Sequence, residues 1–204
     1  MELTPSQTDA LTELINIGYA RAAGALSDLT GHRISLEVPQ VEIHHVDNIS
    51  PMLRKVVEGE VACVNQVFAG PIAGNAILLL DTAAALLLNR LLTDRPKAQE
   101  MDGAAREVIT EVGNIVLNAC LGVFANLLQV QLSFTVPLFR VESIHEILDA
   151  ITNADRTLQY ALMIHTRFHM RASDVSGYLV IILGVTSLDR LLLELRKWED
   201  RQLA

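Results

Sequence analysis

The stretch Glu13-Leu-Ile-Asn16-Ile-Gly-Tyr-Ala-Arg-Ala-Ala-Gly-Ala-Leu-Ser27 decides the reading of this chain, because a second stretch repeats its spacing. Glu13, Asn16 and Pro39 form one copy, and Glu111, Asn114 and Pro137 form another, each member 98 positions later. Both copies read Glu, two residues, Asn, twenty-two residues, Pro. Another acid stands four positions before each Glu, Asp9 in the first copy and Glu107 in the second. The repeat is wider than the motif: Gly24 matches Gly122, Leu29 matches Leu127, Val38 matches Val136, and Thr4 and Asp102 are both acceptable helix N-caps. Glu and Asn three apart share one face of a helix. The chain therefore sets an acid beside an amide twice, and such a pair can grip a cation and aim a water.

Composition bounds the alternatives. The chain has 204 residues, of which 50% are hydrophobic and only 4% aromatic. That supports one aliphatic core, or two small ones sharing a sheet. The repeat favours a single pseudo-symmetric domain made of residues 1–92 and 102–204, with a Pro96-containing linker at 93–101. The net charge of −8 and the lack of a basic stripe argue against nucleic acid and anionic membrane as partners. The first twenty residues hold Glu2, Asp9 and Glu13 without a basic leader, so no signal peptide is expected. The longest apolar runs, Ala76 to Leu80 and Tyr178 to Val185, are too short to span a bilayer. Cys63 and Cys120 have no paired spacing and read as buried, reduced thiols of a cytoplasmic protein.

The pattern along the chain predicts an α/β (α+β) fold in two similar halves. Thr4, Pro5 and Gln7 open a helix that runs to about Leu29 and stops at Gly31. Leu11, Leu14, Ile15, Gly18, Ala22, Ala25, Leu26 and Leu29 fall on its core side. Asp9, Glu13, Asn16, Ala20 and Ser27 fall on the other, where Ala23 and Gly24 also leave a flat surface. Strands are predicted over Arg33–Val38, Glu60–Phe68 and Ala73–Leu80, with Val41–Val46 extended, a short helix over Pro51–Val57, and a helix over Ala83–Leu92 capped by Asp81 or Thr82. The second half predicts a helix over Gly103–Leu128, a strand over Gln131–Val136, and a helix over Ser143–Ile151. Strands over Leu158–Met170 and Gly177–Leu183 and a helix over Leu188–Trp198 complete it. The hairpin around Arg171–Ser176 reads as about six residues longer than its counterpart.

A lone exposed Asn in mid-helix is ordinarily a tolerated surface residue, because its side chain competes for backbone hydrogen bonds. Two of them, each three residues after a Glu, point instead to a doubled site. Pro39 and Pro137 read as strand terminators that shape the chain near it. His44-His45 and His165/His169 have no spacing suited to a shared metal. Neither a nucleophile elbow nor a phosphate-binding glycine loop is present.

The doubled Asp/Glu-x3-Glu-x2-Asn-x22-Pro pattern resembles the CheC/CheX/FliY family of chemotaxis phosphatases, most closely its two-motif CheC branch. The run Glu13 to Ser27 resembles that family's first helix, and Val112-Gly-Asn-Ile-Val116 its second. The resemblance implies a pseudo-two-fold fold with a continuous antiparallel sheet and both motif helices on one face. It implies hydrolysis of the aspartyl phosphate on the response regulator CheY. Asn16 and Asn114 would orient the water, Glu13 and Glu111 would pair with a regulator lysine, and Asp9 and Glu107 would contact the partner. The Mg²⁺ would belong to the regulator, with no cofactor held by this chain. CheD is a further partner the family implies. The alternative is a non-catalytic interaction module like the FliM middle domain of the flagellar switch. Glu107 departs from the family's Asp or Ser. Asn118 and Leu121 stand on the docking side where the first helix has Ala20 and Ala23, so the first site is expected to be the more active.

Overall fold

The computed structural model describes residues 3–37, 41–53, 59–93, 100–170 and 173–203. Helix α1 (Pro5–Thr30) starts as its residues dictate. The Thr4 hydroxyl accepts from the Gln7 amide, the Gln7 side chain accepts from the Thr4 amide, and Pro5 takes the first helical position. Gly31, at φ 68°, ends it in the left-handed region where a Cβ would be strained. Next come β1 (Ile34–Leu36), β2 (Val41–His45), α2 (Val46–Leu53), β3 (Glu60–Ala69), β4 (Gly74–Asp81) and α3 (Thr82–Thr93). The second run has the same order: α4 (Gly103–Leu127), β5 (Ser133–Phe134), β6 (Leu138–Ser143), α5 (Ile144–Ala154), β7 (Leu158–Met170), β8 (Ser173–Gly184) and α6 (Val185–Leu203).

Among the described residues eight strands form one antiparallel sheet, and the two runs exchange their first strands. β1 and β2 pair with β7 of the second run, while β5 and β6 pair with β3 of the first. The runs meet at the centre, where β4 pairs with β8 from Gly74↔Leu183 to Leu79↔Tyr178. Neither run completes its sheet alone. The two central strands are covered on both faces, which is why they read as unbroken apolar runs. Ala76, Leu78 and Leu80 of β4, with Leu179, Ile181 and Leu183 of β8, join a core with α1, α3, α4 and α6. Ile77 and Leu79, with Val180 and Ile182, face the other way onto α2 and α5.

Helices α1 and α4 run antiparallel on the first face. Leu29 and Thr30, at the end of α1, sit beside Glu107 and Glu111 in the early turns of α4. Near the middle the backbones come close: a Cβ on Gly18 would lie 2.9 Å from the Cys120 Cα. Tyr19 turns inward from α1, and its hydroxyl hydrogen-bonds that of Thr166 on β7, which satisfies both buried groups. Burial pushes the Tyr19 phenol well above its ordinary pKa. Burial also pushes the Cys63 thiol up to about 12 and raises the Cys120 thiol further. Both thiols are free.

Several elements differ from the sequence reading for identifiable reasons. The short helix starts at Val46, not Pro51, because Val46, Ile49 and Leu53 make a buried stripe and Pro51 is accepted inside its last turn. Residues 54–57 of that expectation lie outside the described residues. The expected strand 131–136 shrinks to Ser133–Phe134, and an unanticipated strand, β6, follows Pro137. Pro137 lacks an amide proton and falls between them. The longer hairpin is longer strand: β7 and β8 stay paired as far as Met170↔Ser173. α6 begins three residues early and runs past Trp198 to Leu203. Ala25 and Leu29, expected on the core side of α1, are exposed. Over Gly103–Asn126, α4 has the length and mean hydropathy, 1.7, of a membrane span. The run-length reading of the sequence missed this. In the fold it is a core helix, with Ile109, Val112, Val116, Leu117 and Cys120 buried.

Two glycines of the motif helices are therefore unlike. A Cβ on Gly113 would fall 2.5 Å from the Val64 Cβ, whereas one on Gly24 would meet nothing within 4 Å. Alanine favours a helix over glycine by about 1 kcal/mol, and overpacking costs about 1–3 kcal/mol. Gly113→Ala should lower the unfolding free energy measured by urea titration, by up to about 2 kcal/mol net. Gly24→Ala should raise it by up to about 1 kcal/mol.

Candidate functional site

The periodicity that buries Leu11, Leu14, Ile15 and Leu26 turns Asp9 and Glu13 outward, and both are exposed, with Asn16 half-buried beside them. On α4, Glu107 and Glu111 are exposed and Asn114 is half-buried. Each acid-and-amide pair thus lies on an accessible strip of a helix whose opposite side is core. Because α1 and α4 are antiparallel, the two strips lie toward opposite ends of the helix pair.

Each strip has a wall supplied by the other run. Asp9 and Glu13 border an open cleft of about 660 Å³ with Ser6, Trp198, Glu199 and Asp200 from the end of α6. The Ser6 hydroxyl donates to the Glu199 carboxylate, which holds the end of α6 against α1. The Trp198 indole N–H is buried there without a partner among the described residues. Glu107 and Glu111 border a cleft of about 340 Å³ with Leu92 and Thr93 from the end of α3 and Leu29 and Thr30 from the end of α1. The first cleft gathers four carboxylates and the second gathers two with apolar neighbours. Carboxylates that make no ion pair among the described residues favour a cationic group on whatever docks.

The second strip has an internal hydrogen-bond row. Asn118 Nδ2 donates to Asn114 Oδ1 at 2.6 Å, and Asn114 Nδ2 faces Glu111 Oε2 at 3.5 Å. The first strip has Ala20 where the second has Asn118. Among the described residues, no group of three or more His, Cys, Asp or Glu side chains is arranged to hold a metal. Pro39 lies outside the described residues, and Pro137 is half-buried between β5 and β6.

Three expectations about the strips need correction. Leu121 is not on a docking face. It is 1% exposed and packs among Phe68, Ile72, Phe124 and Leu191. Helical spacing puts it in line with Asn114, but at this point of α4 Leu162 of β7, Ile181 and Leu183 of β8 and Leu191 of α6 close over that line. Ala23, its counterpart on α1, is buried as well. Ser27 serves the fold: its hydroxyl donates to the Ala23 carbonyl and accepts from the Ile34 amide, joining α1 to β1. The ends of α3 and α6 were not anticipated as walls of these clefts, because no local pattern reports what packs beside a helix.

The geometry can be set beside solved structures. No protein-family model matches the chain. FliY from Thermotoga maritima superposes with a TM-score of 0.78 at 18% identity, over 97% of this chain and 100% of that one. The FliM middle domain from H. pylori gives 0.64 at 13% identity, over 94% and 99%. CheX in a CheX–CheY–BeF3–Mg²⁺ complex from Borrelia burgdorferi gives 0.51 at 16% identity, over 82% and 96%.

The chain has the CheC/CheX/FliY fold. Full coverage of FliY extends this to both runs, exchanged strands included. Within that fold Leu121 is a core residue, so Leu121→Ala should destabilise by about 2–5 kcal/mol. Urea unfolding checks this, and a loss below about 1 kcal/mol would put Leu121 back on the surface.

Proposed function

We propose that the chain is a phosphatase for the aspartyl phosphate of a response regulator, with phosphorylated CheY as substrate. The observation that carries the reading is the doubled accessible Glu/Asn pair: Glu13 with Asn16, and Glu111 with Asn114. Support also comes from the shared fold with CheX, which forms a complex with CheY. Chemotaxis and flagellar-switch proteins are the fold's company here, and FliM has it too.

An acyl phosphate is already reactive, so the catalyst must mainly place water in line with the breaking bond. Asn16 or Asn114 enters the regulator's active site and holds the water by its amide. The water oxygen bonds to phosphorus, the bond from phosphorus to the aspartyl oxygen breaks, and carboxylate and inorganic phosphate leave. Glu13 and Glu111 pair with a regulator lysine and set the docking angle. Asp9 and Glu107 add contacts at the rim. The chain needs no cofactor of its own: the Mg²⁺ sits in the regulator and neutralises charge on the phosphoryl group. This work belongs in the cytoplasm, where CheD is a further candidate partner.

A second reading has one observation in its favour, the FliM middle domain's likeness in fold. In it the chain docks without turnover. Phosphate release from phosphorylated CheY, with this protein substoichiometric, separates the two. The phosphatase reading expects many turnovers per chain. It expects Asn16→Ala with Asn114→Ala to reduce them at least on the order of a hundredfold without loss of stability, since Ala is the better helix former. Turnover retained by the folded double variant would refute water positioning. Binding without turnover by the unsubstituted protein would favour the docking module.

A further inference from the structure

The Asn114 amide is held from both sides. The Glu111 carboxylate accepts only, so Asn114 turns Nδ2 toward Glu111 Oε2 and leaves Oδ1 facing Asn118, whose Nδ2 donates to it at 2.6 Å. Residues 111, 114 and 118 are successive i,i+3 and i,i+4 neighbours, so the row follows one strip of α4. Asn118 is half-buried, which limits competition from water for that bond. On α1 the corresponding row is Glu13, Asn16 and Ala20. Ala20 has nothing to donate, and the Asn16 side chain has no hydrogen-bond partner among the described residues.

We propose that Asn118 is a positioning residue of the second motif, fixing the Asn114 amide before a partner arrives. The inference rests on the phosphatase reading. An unheld Asn loses its rotamer freedom when it docks, and that loss is taken from the rate. Asn118 removes this loss during folding. The Asn114 carbonyl keeps a second lone pair for a water hydrogen, and its direction is set by the bond to Asn118. The second site is then the faster of the two, the reverse of what Leu121 on a docking face would have produced. The row contributes little to the helix itself, because Ala at 118 has the better propensity.

The test isolates each site with phosphorylated CheY as the probe. In an Asn16→Ala background only the second site turns over. There Asn118→Ala should lower kcat roughly three- to tenfold, with KM changed less than about twofold and the melting temperature not lowered. Asn118→Gln keeps a donor and should recover most of the loss, while Asn118→Asp, an acceptor only, should not. In an Asn114→Ala background, Ala20→Asn installs the donor at the first site and should raise kcat. An unchanged kcat for Asn118→Ala, or a loss wholly in KM, would overturn the positioning role while the phosphatase reading stood. Absence of turnover by the unsubstituted protein would overturn both.

Discussion

The close approach of α1 and α4 at Gly18 is the contact on which the arrangement of the sites depends. A Cβ there would sit 2.9 Å from the Cys120 backbone, so any larger residue would force the helices apart. The approach lets both helices share one face of the sheet, with Gly113 set against Val64 and Tyr19 reaching Thr166 beneath them. What each helix buries fixes what it shows. With Leu11, Leu14 and Ile15 committed inward, Asp9, Glu13 and Asn16 are left at the surface, and α4 does the same with Glu107, Glu111 and Asn114. The exchange of first strands between the runs then holds the helix pair to one continuous sheet. Site geometry is therefore a property of the whole core, and interfaces of this kind tolerate little slack in volume.

The repeat in sequence is exact in spacing but not in surroundings. α6 is longer than α3, and its end brings Trp198, Glu199 and Asp200 over the first motif, whereas α3 ends at Leu92 and Thr93 beside the second. One strip lies in an acidic cleft and the other in a smaller, more apolar one. A partner with a single basic feature meets a stronger field at the first strip and a better-ordered amide at the second. Docking and turnover can thus be divided between two copies of one motif.

Much of this was legible in the sequence. The Thr4–Gln7 capping box, Gly31, and the outward Glu/Asn pairs all follow from local rules that tertiary contacts reinforce. The central strands were readable because residues 76–80 are apolar at every position. The failures share a cause. Leu121 and Ala23 sit at a spacing that predicts exposure, yet elements distant in sequence cover them, and no local pattern reports what packs over a helix. The strand after Pro137 was missed because β6 borrows its place from pairing with β3. The donor row ending at Asn118 was visible as a departure from Ala20, but its meaning needed the side-chain geometry.

The proposed function makes each strip a docking site for the active site of a phosphorylated regulator. Its most direct measurement is the stoichiometry of binding to BeF3-activated CheY with Mg²⁺, by titration calorimetry. Two CheY molecules should bind per chain, one after either Glu13→Arg or Glu111→Arg alone, and none after both. Undiminished binding by the folded double variant, or no binding by the unsubstituted chain, would contradict it.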